Sequence, residues 1–244
     1  MKPIIIAHRG NNFSFPENTL AGLRSAFELG CTAVEFDIQM TADEKLIVLH
    51  DTNTLRTSGV NNAALTCSYQ ELSAISVHEP SRLGDQHKPS PISQLEEVLQ
   101  LLSDFPNTHA YIEIKEESLE QRGHQKVLDK LLPIAQNYAK QCTVISFDLP
   151  VLGMIREQSN LAIGWVLYHY DDESLAKATA SKPDYLIIDQ AKLQLDLPSW
   201  NGSWKWMIYG VDVADLAFRH YENGIEYIET DALQNLLADE RLKP

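Results

Sequence analysis

The chain has 244 residues, 44% of them hydrophobic, and its 20 Lys and Arg against 34 Asp and Glu leave a formal charge of −14. That composition excludes global disorder, and the charge argues against a protein that grips nucleic acid phosphates or anchors to a membrane through a basic patch. At about 150 residues per domain the length allows one or two domains, or one larger barrel.

Taken in order, the chain alternates short β-rich apolar runs with amphipathic stretches. A strand is expected at 4–7 and a helix at 19–29, where Leu20, Leu23 and Phe27 recur at helical spacing. The apolar run before His8 is too short for a signal peptide, whose core needs roughly 7–15 residues, and nothing approaches the roughly 18 of a membrane span. Strands at 33–38 and 46–49 are joined only by a polar link around Thr41-Ala42-Asp43. That link is too short for a parallel crossover, so the two should pair antiparallel. Segment 51–90 is long, polar and weakly periodic, and reads as an elaborated loop or small inserted subdomain. Helices at 95–102, 127–138, 151–157, 174–179, 213–221 and 233–238 alternate with strands at 109–114, 143–147, 162–167, 185–188, 206–209 and 227–229. Setting aside the hairpin strand leaves eight βα units in roughly 250 residues, the arithmetic of an α/β (β/α)8 barrel. A doubly wound sheet is the runner-up. The expected organisation is one domain over 1–244, with the insertion at about 51–90 following the hairpin. Cys31, Cys67 and Cys142 are odd in number and form no CxxC, which fits a reducing, cytoplasmic setting and not a disulfide scaffold or thiolate zinc site.

Catalytic groups of such a barrel come from the C-terminal ends of its strands. Those ends carry His8 and Arg9, Glu35 and Asp37, His50 and Asp51, Glu113 and Lys115, Glu229 and Asp231. Strand side chains alternate faces, so Glu35 and Asp37 point the same way. Two carboxylates facing a barrel interior repel and lose solvation, and an oxygen-ligated divalent ion is one natural compensation. Glu113 and Lys115 repeat the spacing. Salt bridges, Glu35 with Arg9 and Asp37 with Lys115, are the competing explanation. His8 and His50 stand at equivalent strand ends and suit shared acid and base roles near neutral pH. The other six histidines have no comparable setting. Arg9 and Lys115 are local cations able to hold a phosphate or carboxylate against the acidic background.

These residues resemble the glycerophosphodiester phosphodiesterase family. The resemblance runs through Ala7-His8-Arg9-Gly10, Pro16-Glu17-Asn18-Thr19, Val34-Glu35-Phe36-Asp37, Thr41-Ala42-Asp43 and Val48-Leu49-His50-Asp51. It continues with the 91–99 helix entry, Ile112-Glu113-Ile114-Lys115, Ser146-Phe147-Asp148 and Glu229-Thr230-Asp231. It implies a (β/α)8 barrel that hydrolyses glycerophosphodiesters to sn-glycerol 3-phosphate and an alcohol. It implies one Mg²⁺ or Ca²⁺ on Glu35, Asp37 and Glu113, His8 and His50 as the acid–base pair, Arg9 and Lys115 on the phosphate, and Glu17 at the rim of the site. Asn18 is expected to order its loop through side-chain-to-backbone bonds. Segment 51–90 corresponds to the family's inserted subdomain. One departure is clear: where members commonly carry a Trp-Thr-Val-Asn-like run, this chain reads Ile208-Tyr209-Gly210-Val211-Asp212. The insertion also lacks an obvious aromatic cluster for acyl chains, which leans towards a water-soluble, small-molecule glycerophosphodiester. Two attackers fit these residues, water and the glycerol 2-hydroxyl, and no second metal set is evident in the sequence. The competing readings are a sphingomyelinase D-like or phosphatidylinositol-specific phospholipase C-like lyase, a metal-dependent barrel aldolase, and a barrel that only binds phosphodiesters. No nucleic acid partner and no membrane span are expected, and a homo-oligomer stays open.

Overall fold

Strands form where Ile, Val, Tyr, Phe and Trp concentrate, because branched and aromatic side chains pack well on a pleated, half-buried surface. The computed structural model describes residues 2–193 and 200–243. It contains β1 (Ile4–Ala7), β2 (Ala33–Met40), β3 (Leu46–Val48), β4 (His109–Ile114), β5 (Cys142–Ser146), β6 (Ala162–Val166), β7 (Tyr185–Asp189), β8 (Lys205–Tyr209) and β9 (Tyr227–Thr230). All nine fall on the expected runs, β1 and β4 with the expected bounds and the others with one or both ends shifted by one or two residues. Strands β1, β2, β4, β5, β6, β7, β8 and β9 pair in parallel, and β9 returns to β1, so the sheet closes into a barrel. Strand β3 lies antiparallel on β2, with Ile38 opposite Val48 and Met40 opposite Leu46, as the short link requires.

The barrel interior is a packed plug with one residue from each parallel strand: Ile6, Ala33, Tyr111, Ile145, Val166, Ile187, Met207 and Tyr227. A larger core lies outside the barrel, where strand residues such as Phe36, Ile112 and Val144 meet helix residues such as Leu23, Leu99 and Leu131. Helices Leu20–Glu28, Leu95–Leu101, Leu149–Gln158, Asp172–Ser181, Ala214–Glu222 and Leu233–Leu237 match expectation within a few residues. Several start on caps: Thr19 Oγ1 accepts from Gly22 N at 3.1 Å, and Asp148 Oδ1 accepts from Val151 N at 2.7 Å. The expected 127–138 helix begins earlier, at His124, and a separate helix, Glu116–Arg122, precedes it. The link from β7 to β8 carries only a 3₁₀ turn, Gln190–Lys192, among the described residues.

Segment 51–90 holds three short helices, Leu55–Ser58, Tyr69–Ser73 and Pro80–Leu83. Ala64, Leu72 and Val77 pack with Ile47, Leu49 and Ile92 into a small apolar cluster of their own. Arg82 fastens the segment to the loop after β1 by donating to the carbonyls of Phe13 and Phe15 at 3.0 and 2.9 Å.

Candidate active site

The pleat builds the site from the plug upward. Two residues beyond Ile6, Ala33, Tyr111, Ile145, Met207 and Tyr227, on the same inward face, stand His8, Glu35, Glu113, Phe147, Tyr209 and Glu229. These six line a cavity of about 160 Å³ at the C-terminal mouth of the barrel, together with Arg9, His50 and Lys115. The loop after β1 turns sharply to reach it. Arg9 and Asn18 adopt left-handed φ of 53° and 55°, and Gly10 one of 83°. A Cβ at Gly10 would lie 2.8 Å from the backbone of Gly22, so the helix Leu20–Glu28 can sit against this loop only because position 10 is glycine. Strained non-glycine backbone of this kind is held in place by the contacts around it.

Each histidine is braced by an aspartate. His8 Nδ1 lies 2.6 Å from Asp231 Oδ1, and His50 Nδ1 lies 2.7 Å from Asp51 Oδ1. The Nε2 of His8 faces Glu229 at 3.7 Å and Glu35 at 3.8 Å, and accepts from Arg9 Nε at 3.2 Å. The Arg9 guanidinium also meets Asp37 at 3.3 Å and donates from Nη1 to Glu17 at 3.0 Å. Its Nη2 has no partner among the described residues. Lys115 Nζ donates to Glu113 at 2.9 Å and lies 3.7 Å from Asp37. Of the two competing salt bridges, Asp37 with Lys115 forms and Glu35 with the Arg9 side chain does not: both cations share Asp37, and from Arg9 Glu35 receives only the backbone N–H, at 3.3 Å.

Glu35, Asp37 and Glu113 offer ligand atoms within 4.8 Å of one another. Glu35 Oε1 is buried without any hydrogen-bond partner. A second set, His8, Glu35 and Glu229, meets the same distance and shares Glu35 with the first. Burial and the neighbouring Asp37 raise the Glu35 carboxyl well above its ordinary range, and the same causes push Glu113 up to about 7. Burial also opposes the Asp37 anion, but Arg9, His50 and Lys115 outweigh it and lower that carboxyl. Burial opposes the His8 cation too, yet Glu229, the Asp231 bond and Glu35 together raise it to about 10. A second ring proton would sit on Nε2, so the Arg9 contact there must open when His8 is charged.

The structure brings His8, His50, Arg9, Lys115, Glu35 and Glu113 to one cavity, with Asp37 buried just behind them. Glu17 is not on the cavity wall. It is buried behind Arg9 and takes Arg56 Nη1 and Nη2 at 2.5 and 2.7 Å, while its backbone N–H donates to Glu79 at 2.6 Å. Burial opposes its anion, but Arg56 and Arg9 lower its carboxyl. Asn18 differs from expectation as well. Its Oδ1 accepts from Asp37 N at 3.2 Å, but its Nδ2 donates to the Asp37 carboxylate at 2.9 Å, so it orients a site residue as well as a loop. Asp51, Arg56, Asp231 and Glu229 were not assigned roles by the sequence. The His-Asp and Thr-Asp dipeptides were the available signals for two of them. Asp212, in the departing run after β8, accepts from Thr230 Oγ1 at 2.8 Å and Asp231 N at 3.0 Å, and so secures the aspartate that braces His8.

The sequence pattern of the Glycerophosphoryl diester phosphodiesterase family matches residues 8–200. The chain belongs to that family. A glycerophosphodiester phosphodiesterase of Caldanaerobacter subterraneus subsp. tengcongensis is 30% identical over 148 residues, 61% of this chain and 59% of the relative. One of Bacillus altitudinis is 30% identical over 138 residues, 52% of this chain and 56% of the relative. The chain thus aligns with a little over half the length of these curated relatives. Among solved structures, a phosphodiesterase of Oleispira antarctica in complex with the product sn-glycerol-3-phosphate superposes with a TM-score of 0.84 at 21% identity, over 97% of this chain and 96% of that one. A putative glycerophosphoryl diester phosphodiesterase of Silicibacter pomeroyi gives 0.83 at 21% identity, over 99% and 95%. Both likenesses confirm the barrel. No helix among the described residues is long and apolar enough to cross a membrane.

Proposed function

We propose that this chain hydrolyses glycerophosphodiesters to sn-glycerol 3-phosphate and an alcohol. The observation that carries the reading is the convergence on one small cavity of two aspartate-braced histidines, two cations and a carboxylate trio. Family membership supports the reaction class. The cavity suits a small polyol phosphate, which favours a water-soluble substrate. The three free cysteines, Cys31 and Cys142 among them buried, support a reducing compartment such as the cytoplasm.

The residues fit a divalent ion. Three oxygen donors converge, one buried carboxylate oxygen has no partner, and no thiolate is near, which favours Mg²⁺ or Ca²⁺ on Glu35, Asp37 and Glu113. When bound, such an ion supplies positive charge to the phosphoryl oxygens. Arg9 and Lys115 add fixed positive charge on the protein side, and the free Nη2 of Arg9 is a donor available to the phosphate. Asp231 and Asp51 hold the histidine tautomers with the proton on Nδ1, which leaves Nε2 to move protons. The carboxylates around His8 favour its cation, which suits the proton donor to the leaving alcohol. His50 then takes the proton of the attacking water. Excess chelator should abolish turnover, and Glu35→Gln should weaken Mg²⁺ or Ca²⁺ binding measured by calorimetry. Full turnover in chelator would remove the ion from the account.

A further inference from the structure

Glu229 ends β9 with 5% exposure, two residues above the plug residue Tyr227, and its carboxylate lines the cavity. Among the described residues nothing donates a hydrogen bond to it. The nearest charge is His8 Nε2 at 3.7 Å, beyond hydrogen-bond reach. The other carboxylates of the mouth have either a donor or a place in the ion site: Lys115 serves Glu113, Asn18 and Arg9 serve Asp37, and Glu35 reaches the Arg9 backbone. A buried carboxyl with no donor is costly, and the cost is relieved when a ligand brings one.

We propose that Glu229 is a specificity-determining residue, accepting a hydrogen bond from the substrate hydroxyl on the carbon next to the phosphate-bearing carbon. This rests on the reading of the mouth as a glycerophosphodiester site. Arg9 Nε touches His8 Nε2 at 3.2 Å, so a phosphate on that guanidinium lies alongside the imidazole that Glu229 faces. A hydroxyl on the adjacent carbon is only four bonds from phosphorus, so with the phosphate beside His8 it can reach the Glu229 carboxylate that faces the same imidazole. The neighbouring strand β8 contributes Tyr209, and beyond it the wall is apolar, built from Ile145, Phe147, Val166 and Ile187, so Glu229 is the charged acceptor on this side and the Tyr209 hydroxyl a neutral one. Burial, against the opposing pull of His8, pushes the Glu229 carboxyl up to about 7, and in either protonation state one oxygen is left to accept. A second cation on His8, Glu35 and Glu229 is the rival occupant. It would need His8 Nε2 as a ligand, where the positive Arg9 already sits.

The test compares binding of sn-glycerol 3-phosphate and of 3-hydroxypropyl phosphate, which lacks the hydroxyl, by calorimetry with Mg²⁺ present. The wild-type chain should prefer the glycerol ester by roughly tenfold or more, the range of a hydrogen bond to a charged group. Glu229→Leu should bind both equally, and the isosteric Glu229→Gln should keep part of the preference. A wild-type chain with no preference, or a Glu229→Leu variant that keeps it, overturns the assignment. So does loss of one equivalent of bound Mg²⁺ in Glu229→Leu with the preference intact, which would assign the residue to a second cation. Because the readout is binding, a wild-type chain that shows the preference yet turns over no glycerophosphodiester would defeat the proposed activity and leave the role of Glu229 standing.

Discussion

A histidine that carries protons needs its ring fixed, and here both rings are fixed the same way, by an aspartate on Nδ1. His8→Ala and His50→Ala should each lower kcat by roughly 10²-fold or more, the usual scale for acid–base groups. His109, hydrogen-bonded to Thr143 at 2.9 Å near the opposite end of the barrel, is the control, and His109→Ala should leave kcat close to wild type. Less than a tenfold loss from either mouth histidine would defeat the paired roles. Arg9→Lys keeps the charge but not the planar fork that spans His8, Asp37 and Glu17, so steady-state kinetics should show a raised KM and a lowered kcat together. At this scale the sequence revealed the strand-end residues, because a period of two and a strand end suffice to place them. It did not reveal the Asp231 bond to His8, the Arg56 bonds to Glu17 or the Asn18 contact with Asp37. Those pairings span 223, 39 and 19 positions and depend on barrel closure and loop path.

Elements were legible in proportion to their length and patterning. The strands stood out as dense β-branched runs, and the longer helices by apolar spacing. Helix Glu116–Arg122 escaped because its EESLEQR run buries only Ser118 and Leu119, too few positions to show a period. The three helices of the insertion are four or five residues each, shorter than any periodicity can register. What that insertion does is also a matter of contacts. Arg56 donates to Asp51 at 2.9 and 3.0 Å and to both oxygens of Glu17, so it joins the partner of His50 to the partner of Arg9. Burial opposes the Asp51 anion, but the bonds from Arg56 and His50 lower its carboxyl to about 2. Arg56→Ala should therefore cut kcat by roughly tenfold, with only a small loss of melting temperature since the side chain is half exposed. An unchanged kcat would show that the insertion does not steady the catalytic loop. Gly10→Ala tests the loop itself. A strained left-handed residue costs roughly 1–3 kcal/mol, and the close approach to Gly22 adds to it, so denaturant melts should show a loss of at least that size.

For the molecule as a whole, the barrel places its acidic groups where folding and ion binding are coupled. Glu113 and Glu229 are pushed up to about 7 from an ordinary 4.5. Between those values the folded chain holds more protons than the unfolded one, so stability falls as pH rises through that window. His8, raised to about 10 from 6.5, contributes stability that is full below 6.5 and lost as pH rises through 10. The lowered Asp51 acts only in acid, its contribution being lost as pH falls through about 2. Cation-free protein should thus melt at a lower temperature at pH 8 than at pH 5.5. Saturating Mg²⁺ or Ca²⁺ should raise the pH 8 value, a hundredfold excess over Kd being worth about 2.7 kcal/mol. Equal melting temperatures at both pH values, with and without cation, would break that coupling. The closed barrel was legible from counting strands. The most direct measurement of the central claim is an assay of glycerophosphocholine with and without Mg²⁺ or Ca²⁺, following sn-glycerol 3-phosphate. Cation-dependent release of sn-glycerol 3-phosphate and choline in equal amounts is the expected result. A cyclic phosphate as the final product, or no cleavage with either ion, would contradict it.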